Sequence, residues 1–198
     1  MLKDCRKLTD EQLVRLTLEN QEYFRYIVER YEEKLLRYVL RISSVSVEDA
    51  EDILQDVFIN AYKNLNGFDV NLKFSSWIYR ITHNRVISDW RKVRNSPIVF
   101  KREDSLELFN NIVSEDNVFK QLVDKDDKIV VEEFLGKLKK EYKIVLVLKF
   151  LEGKSYLEIS DILKRPMGTV ATLINRAKKQ FREVVENDKG LSSSELVK

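Results

Sequence analysis

Glycine and proline are scarce in this chain, with five Gly and two Pro in 198 residues. Tight turns between strands draw on those residues, so their scarcity argues against a sheet-rich fold and for an all-α protein. The single cysteine, Cys5, excludes an internal disulfide and fits a reducing compartment. The single histidine, His83, has no second His or nearby Cys with which to form a metal set. There is no Gly-rich phosphate loop. Acid pairs such as Glu51 and Asp52 fall on a helix surface, without the pocket that acid–base chemistry needs. No catalytic residue, no metal ligand and no cofactor is therefore expected. The apolar run Ile144–Leu148 is far shorter than the roughly 20 residues of a membrane-spanning helix. The opening residues MLKDCRKLTDEQ lack an apolar signal core. A cytoplasmic protein without membrane insertion is expected.

Charge, by contrast, is plentiful and unevenly placed. The formal net charge is only +2. Residues 73–102 nevertheless hold eight bases and one acid, net +7. Residues 103–136 hold three bases and ten acids, net −7, and residues 137–182 hold twelve bases and four acids, net +8. Two basic blocks flanking an acidic bridge suit a protein that touches a polyanion at two separate places. Three solvated surfaces with no partner are the alternative that charge alone leaves open.

Periodicity divides the chain into helices. Residues 9–19 open on Thr9 with Gln12 reaching back, a capping box. Residues 21–42 carry a stripe of Phe24, Ile27, Val28, Tyr31, Leu35, Tyr38, Val39 and Ile42. Ser46 and Asp49 cap the next helix, whose buried stripe is Ala50, Ile53, Leu54, Val57, Phe58, Ala61 and Leu65. A loop over 65–76 leads into a helix over 76–92. Pro97 and an acidic turn in composition mark residues 93–125 as a linker, with one short helix around 104–111. Helix resumes from Asp126 to Leu138 and again over 139–151. A capping box at Ser155 and Glu158 opens a helix over 155–163. Pro166 then starts a last helix, 166–182, with Met167, Val170, Leu173, Ile174, Ala177 and Phe181 on its apolar side. Residues 187–198 are polar and expected to form a flexible tail. The expected architecture is all-α: a helical domain over 1–92, the linker, and a second small helical domain over 126–186 containing a helix-turn-helix.

Three helix faces carry chemistry. The helix-turn-helix over 155–182 can lay its second helix in a major groove. Thr172 and Asn175 would meet bases there, and Arg176, Lys178, Lys179 and Arg182 mostly phosphates. In helix 76–92, Trp77, Arg80, Asn84, Ser88 and Arg91 fall in a sector of about 80° at 100° per residue. A ring, cations and amide donors suit unpaired bases, and Phe74 adds a second ring in the preceding loop. A Trp77 simply pinned in the core is the competing reading. The helix over 48–64 is acidic outside, with Glu48, Asp49, Glu51, Asp52 and Asp56. That is more than dipole compensation needs, and it suits a basic protein partner.

These segments, in this order, resemble bacterial RNA polymerase sigma factors of the extracytoplasmic-function (ECF) type. DAEDILQDVFINAYKNL at 49–65 resembles the helix that docks on the clamp helices of the polymerase largest subunit. KFSSWIYRITHNRVISDWRK at 73–92 resembles the segment that opens and reads the −10 promoter element. EYKIVLVLKFLEGKSYLEISDILKRPMGTVATLINRAKKQF at 141–181 resembles the domain that reads the −35 element. The resemblance implies that Asp52, Gln55, Asp56 and Phe58 bind polymerase core. It implies that Trp77, Tyr79, Arg80, Asn84 and Arg91 meet −10 DNA, and Phe74 and Ser88 join them from the stripe and its preceding loop. Gly168, Thr169, Val170, Arg176 and Ala177 match the family's recognition-helix pattern, which implies that the helix face with Thr169, Ala171, Thr172, Asn175, Arg176, Lys179 and Arg182 meets −35 DNA. An anti-sigma factor is the further partner that the family suggests. Ser88 stands where the family often has Asp, Lys164 where the turn often has Gly, and Leu173 where Arg is frequent. A stand-alone helix-turn-helix regulator is the runner-up, and a helical protein-binding adaptor the third reading. The exposed stripe on helix 76–92 separates them, because a duplex-only regulator has no use for it.

Overall fold

The structure is a computed structural model and describes residues 5–69, 72–94 and 133–195. All regular structure among the described residues is helical. They form two compact units, one holding the described residues through Arg94 together with Asp161–Lys164, and one holding residues 133–160 and 165–195. Of the expected linker, Val93 and Arg94 belong to the helix that ends at Arg94, and the rest, with its expected helix at 104–111, lies outside the described residues.

The first unit holds α1 (Asp10–Glu19), α2 (Phe24–Ile42), α3 (Val47–Lys63) and α4 (Phe74–Arg94). The expected capping box at Thr9 is present: its Oγ1 accepts from Gln12 N–H at 3.2 Å, and Gln12 accepts from Thr9 N–H at 2.9 Å. The six stripe residues of α3 are buried, as is Leu65 in the turn that follows it. Aromatic pairs join α2 to its neighbours: Phe24 with Phe58 of α3, Tyr31 with Phe74 of α4, and Tyr38 with Tyr79 of α4. α1 is tied to α2 by Asp10, which pairs with Arg30 at 2.5 Å and accepts the Tyr31 hydroxyl proton. Burial, followed by the Asp10 carboxylate, pushes the Tyr31 phenol well above its ordinary pKa.

In the second unit a helical turn at 133–136 precedes α5 (Lys140–Leu146), which continues as a π-turn over Val147–Leu151. Gly153, at φ 64°, reverses the chain. α6 (Tyr156–Leu163) and α7 (Met167–Glu195) follow. Ile144–Leu148, Ile159, Val170, Ile174, Ala177 and Phe181 belong to its core. α7 runs on through residues 187–195, where a flexible tail was expected. The packed turns from Val170 to Phe181 supply the nucleus, and no proline follows to stop propagation.

Candidate nucleic-acid and protein interfaces

α3 presents the acidic face. Ser46 Oγ accepts from Asp49 N–H at 3.1 Å and donates to the Asp49 carboxylate at 2.7 Å, so Asp49 serves the cap. Glu48, Glu51, Asp52, Gln55 and Asp56 are exposed along the helix. Asp56 is already engaged: its carboxylate lies 2.7 Å from Arg85 of α4, which also holds Asp89 at 2.9 Å. Phe58 is only 9% exposed and meets Phe24 edge-on. That corrects its reading as a contact residue, because its place on the apolar stripe turns the ring inward. The apolar surface on this helix comes instead from Ile59, 51% exposed, and Tyr62, 41% exposed. Tyr62 packs on Phe24 and donates its hydroxyl to Gln21 at 3.2 Å. Sequence reasoning passed over both, although two apolar residues lying off the buried stripe were the available signal.

α4 begins at Phe74, two residues earlier than expected, and its first N–H is bound by Glu11 at 3.2 Å. Phe74 thus shares a face with Ile78 one turn on, and both are fully buried. Tyr79 is buried too, against Tyr38. The expected DNA contacts through Phe74 and Tyr79 are therefore corrected: both rings are core. Trp77 is half-buried, with Phe68 and Phe74 against it at centroid distances of 5.2 and 5.5 Å. Arg80 is half-buried, while Asn84 and Ser88 are exposed. Trp77, Arg80, Asn84 and Ser88 thus make one accessible stripe. Arg91 lies in the last turns of α4, and its side chain lies outside the described residues. His83, beside the stripe, has Nδ1 3.1 Å from the Tyr38 hydroxyl.

α6, the turn and α7 form the helix-turn-helix. Lys164 adopts φ 52°, the left-handed conformation that glycine usually takes. The turn is held by Ser160, whose Oγ donates to Arg165 O at 2.6 Å and whose carbonyl accepts from Arg165 N–H at 3.2 Å. The Arg165 guanidinium reaches Glu141 at 3.2 Å. Along α7, Val170, Ile174, Ala177 and Phe181 face the core. Thr169, Thr172, Asn175, Arg176, Lys179 and Arg182 are exposed and Ala171 is half-exposed, so these seven share the outer side. Lys178 lies over the Phe150 ring at 5.1 Å. Met167, expected on the apolar side, is 55% exposed. It sits one turn ahead of Val170, the first buried residue of the helix.

Family comparisons bear on these surfaces. The Sigma-70 region 2 model matches residues 27–96, and the Sigma-70 region 4 model matches residues 128–181. The ECF RNA polymerase sigma factor SigW of Bacillus subtilis is 34% identical over 169 residues, covering 83% of this chain and 89% of the relative. The chain belongs to the ECF RNA polymerase sigma factors. The ECF sigma-E factor of Escherichia coli K12 is 29% identical over 186 residues, 91% of this chain and 94% of that one. Among solved structures, CnrH in complex with the cytosolic domain of CnrY matches with a TM-score of 0.68 at 26% identity, covering 90% of this chain and 98% of that one. RpoE from Bartonella quintana, in complex with the anti-sigma factor NepR, matches with a TM-score of 0.63 at 20% identity, covering 82% and 96%. That second likeness concerns the fold alone. As an ECF sigma factor the chain is a transcription initiation factor, and no helix among the described residues is long and apolar enough to cross a membrane.

Proposed function

We propose that this sigma factor brings RNA polymerase core to promoters through three separate faces, in the cytoplasm and without catalysing a reaction itself. The acidic face of α3, with Asp52, Gln55 and Asp56, docks on the clamp helices of the largest subunit, and Ile59 and Tyr62 extend it with apolar surface. Trp77, Arg80, Asn84 and Ser88 of α4, with Arg91, hold the unpaired −10 strand. The outer face of α7 reads the −35 duplex. The observation that carries this reading is the stripe on α4, where a half-buried Trp lies in line with an Arg and exposed amide and hydroxyl groups. A duplex-only regulator has no use for such a stripe. Two of the solved relatives are complexes with partner proteins, CnrY and the anti-sigma factor NepR. We extend that to an anti-sigma partner for this chain.

Co-elution with polymerase core on gel filtration tests the docking step. Asp52→Lys is the cleaner probe, because Asp56→Lys would also place a cation against Arg85. Loss of co-elution with Asp52→Lys, at unchanged melting temperature, is the expected result. Intact co-elution of the double variant Asp52→Lys/Asp56→Lys would remove the α3 face from the interface.

A further inference from the structure

The acidic face of α3 is not equally open along its length. Towards its N-terminal end Glu48, Glu51 and Asp52 are exposed and make no ion pair among the described residues. One turn on, Asp56 lies 2.7 Å from the Arg85 guanidinium, whose Nε also reaches Asp89 at 2.9 Å. The Arg85 and Asp56 side chains are 36% and 49% exposed, so water screens their pair and it opens at low cost. Asp89 holds Arg85 from within α4, at i,i+4 spacing. The pair with Asp56 borders a cleft of about 230 Å³ whose wall also carries Ile59, Asn60, Lys63 and Ile81. Lys63 brings a second cation to that cleft. The end of the face that should offer negative charge to a basic partner is thus neutralised from within.

From this geometry we infer that Arg85 sets the affinity for polymerase core, as an intramolecular competitor for Asp56. A basic side chain arriving at Asp56 has to displace Arg85 and meets its like charge at close range. Once displaced, Arg85 keeps Asp89, so the exchange leaves no charge unpaired. Docking at Asp56 gains only the difference between two ion pairs. Docking at Asp52 gains the whole of one. The inference rests on α3 being the docking face.

The test is a titration of polymerase core with the fluorescently labelled full chain, at low and high salt, beside a thermal melt of each variant. Arg85→Gln removes the charge and keeps an amide donor for Asp89. It should bind core roughly two- to five-fold tighter at low salt, with the gain shrinking as salt rises. Arg85→Lys, which keeps the charge, should stay at wild-type affinity, and the gain should vanish in an Asp56→Asn background. Asp52→Asn should weaken binding more than Asp56→Asn, a comparison that does not depend on how Arg85→Gln folds. Equal or weaker binding by Arg85→Gln at unchanged melting temperature, or a gain that survives Asp56→Asn, overturns the inference and leaves α3 as the dock. So does a loss at Asp56 equal to or larger than the loss at Asp52. If neither Asp52→Asn nor Asp56→Asn weakens binding, the docking reading fails with it.

Discussion

α4 and α7 both face promoter DNA in this reading, yet they are built differently. On α7 the division is clean: Val170, Ile174, Ala177 and Phe181 hold the fold, and every cation or amide expected to touch DNA is exposed. On α4 the two roles share one aromatic cluster. Trp77 is half-buried against Phe68 and Phe74, and Phe74 and Tyr79 lie wholly in the core. A duplex presents its edges to a helix that only has to arrive. An unpaired strand has to be held open on a platform, and stacking surface must be stiff to be useful. Burying one side of Trp77 supplies that stiffness. Recognition by α7 should therefore be editable without touching stability, whereas on α4 the two are entangled.

The strongest way to break that contrast is Phe74→Ala. Deleting a fully buried ring should cost roughly 3–5 kcal/mol, read from a denaturant melt of the full chain. Core docking and promoter melting should fail together, since the ring joins α2 and α4. A Phe74→Ala protein of wild-type stability that had lost only −10 recognition would return Phe74 to the DNA surface. Trp77→Ala is the next step down. Open-complex stability should fall by about 1–3 kcal/mol, the worth of a stacked base, with a smaller loss in the melt than Phe74→Ala. A matching substitution on α7, Lys179→Ala, should leave the melt unchanged. Its effect is weaker binding on all sequences alike and a log–log salt slope shallower by about one. Equal melting losses on the two helices would erase the distinction.

Tyr31→Phe probes the floor beneath the α4 platform. It removes a hydroxyl whose proton goes to Asp10 but leaves Asp10 paired with Arg30, so about 1 kcal/mol is expected at neutral pH. The pH dependence carries more information. Burial raises the folded-state pKa of Tyr31, while in the unfolded chain a tyrosine titrates near 10. Its contribution is then complete below about pH 10 and is lost as the pH climbs from there through the folded value. Wild type should lose melting temperature above pH 10 more steeply than Tyr31→Phe, and parallel curves would deny the shift.

Much of this was legible before the structure. Ser, Thr, Asp, Glu and Gln at fixed offsets announced the helix starts at Thr9, Ser46 and Ser155, because capping is local chemistry. The apolar stripe of α3 announced its buried face, because 3.6-residue periodicity is geometry. The misplaced residues are those where one position had two claims on it. Phe58 belongs to a family docking motif and to the apolar stripe, and burial took it. Phe74 reads as loop because α4 starts two residues sooner than its sequence suggests, drawn inward by Tyr31, Phe68 and the Glu11 cap on its N–H. Met167 reads as core by angle, but angle says nothing about whether a neighbour is there to cover it. The π-turn at Val147–Leu151 has no sequence signal of its own.

Lys164 is the smallest and sharpest test of the clean division on the α7 side. The sequence raised the difficulty, a lysine where the turn calls for glycine, and the chain accepts it by placing Lys164 at φ 52°. For a residue with a Cβ that conformation costs roughly 1–2 kcal/mol, and the two Ser160–Arg165 bonds hold the turn in spite of it. Lys164→Gly relieves the strain but gives the unfolded chain more freedom, which takes back about 0.4–1 kcal/mol. A net gain of between zero and about 1.6 kcal/mol is expected. Because Lys164 precedes the reading face, the selected upstream sequence should not change, although overall affinity can drop by one cation's share. A gain in stability accompanied by a changed sequence preference would mean that this turn sets the angle of α7 in the groove, and that fold and recognition are entangled here as they are on α4.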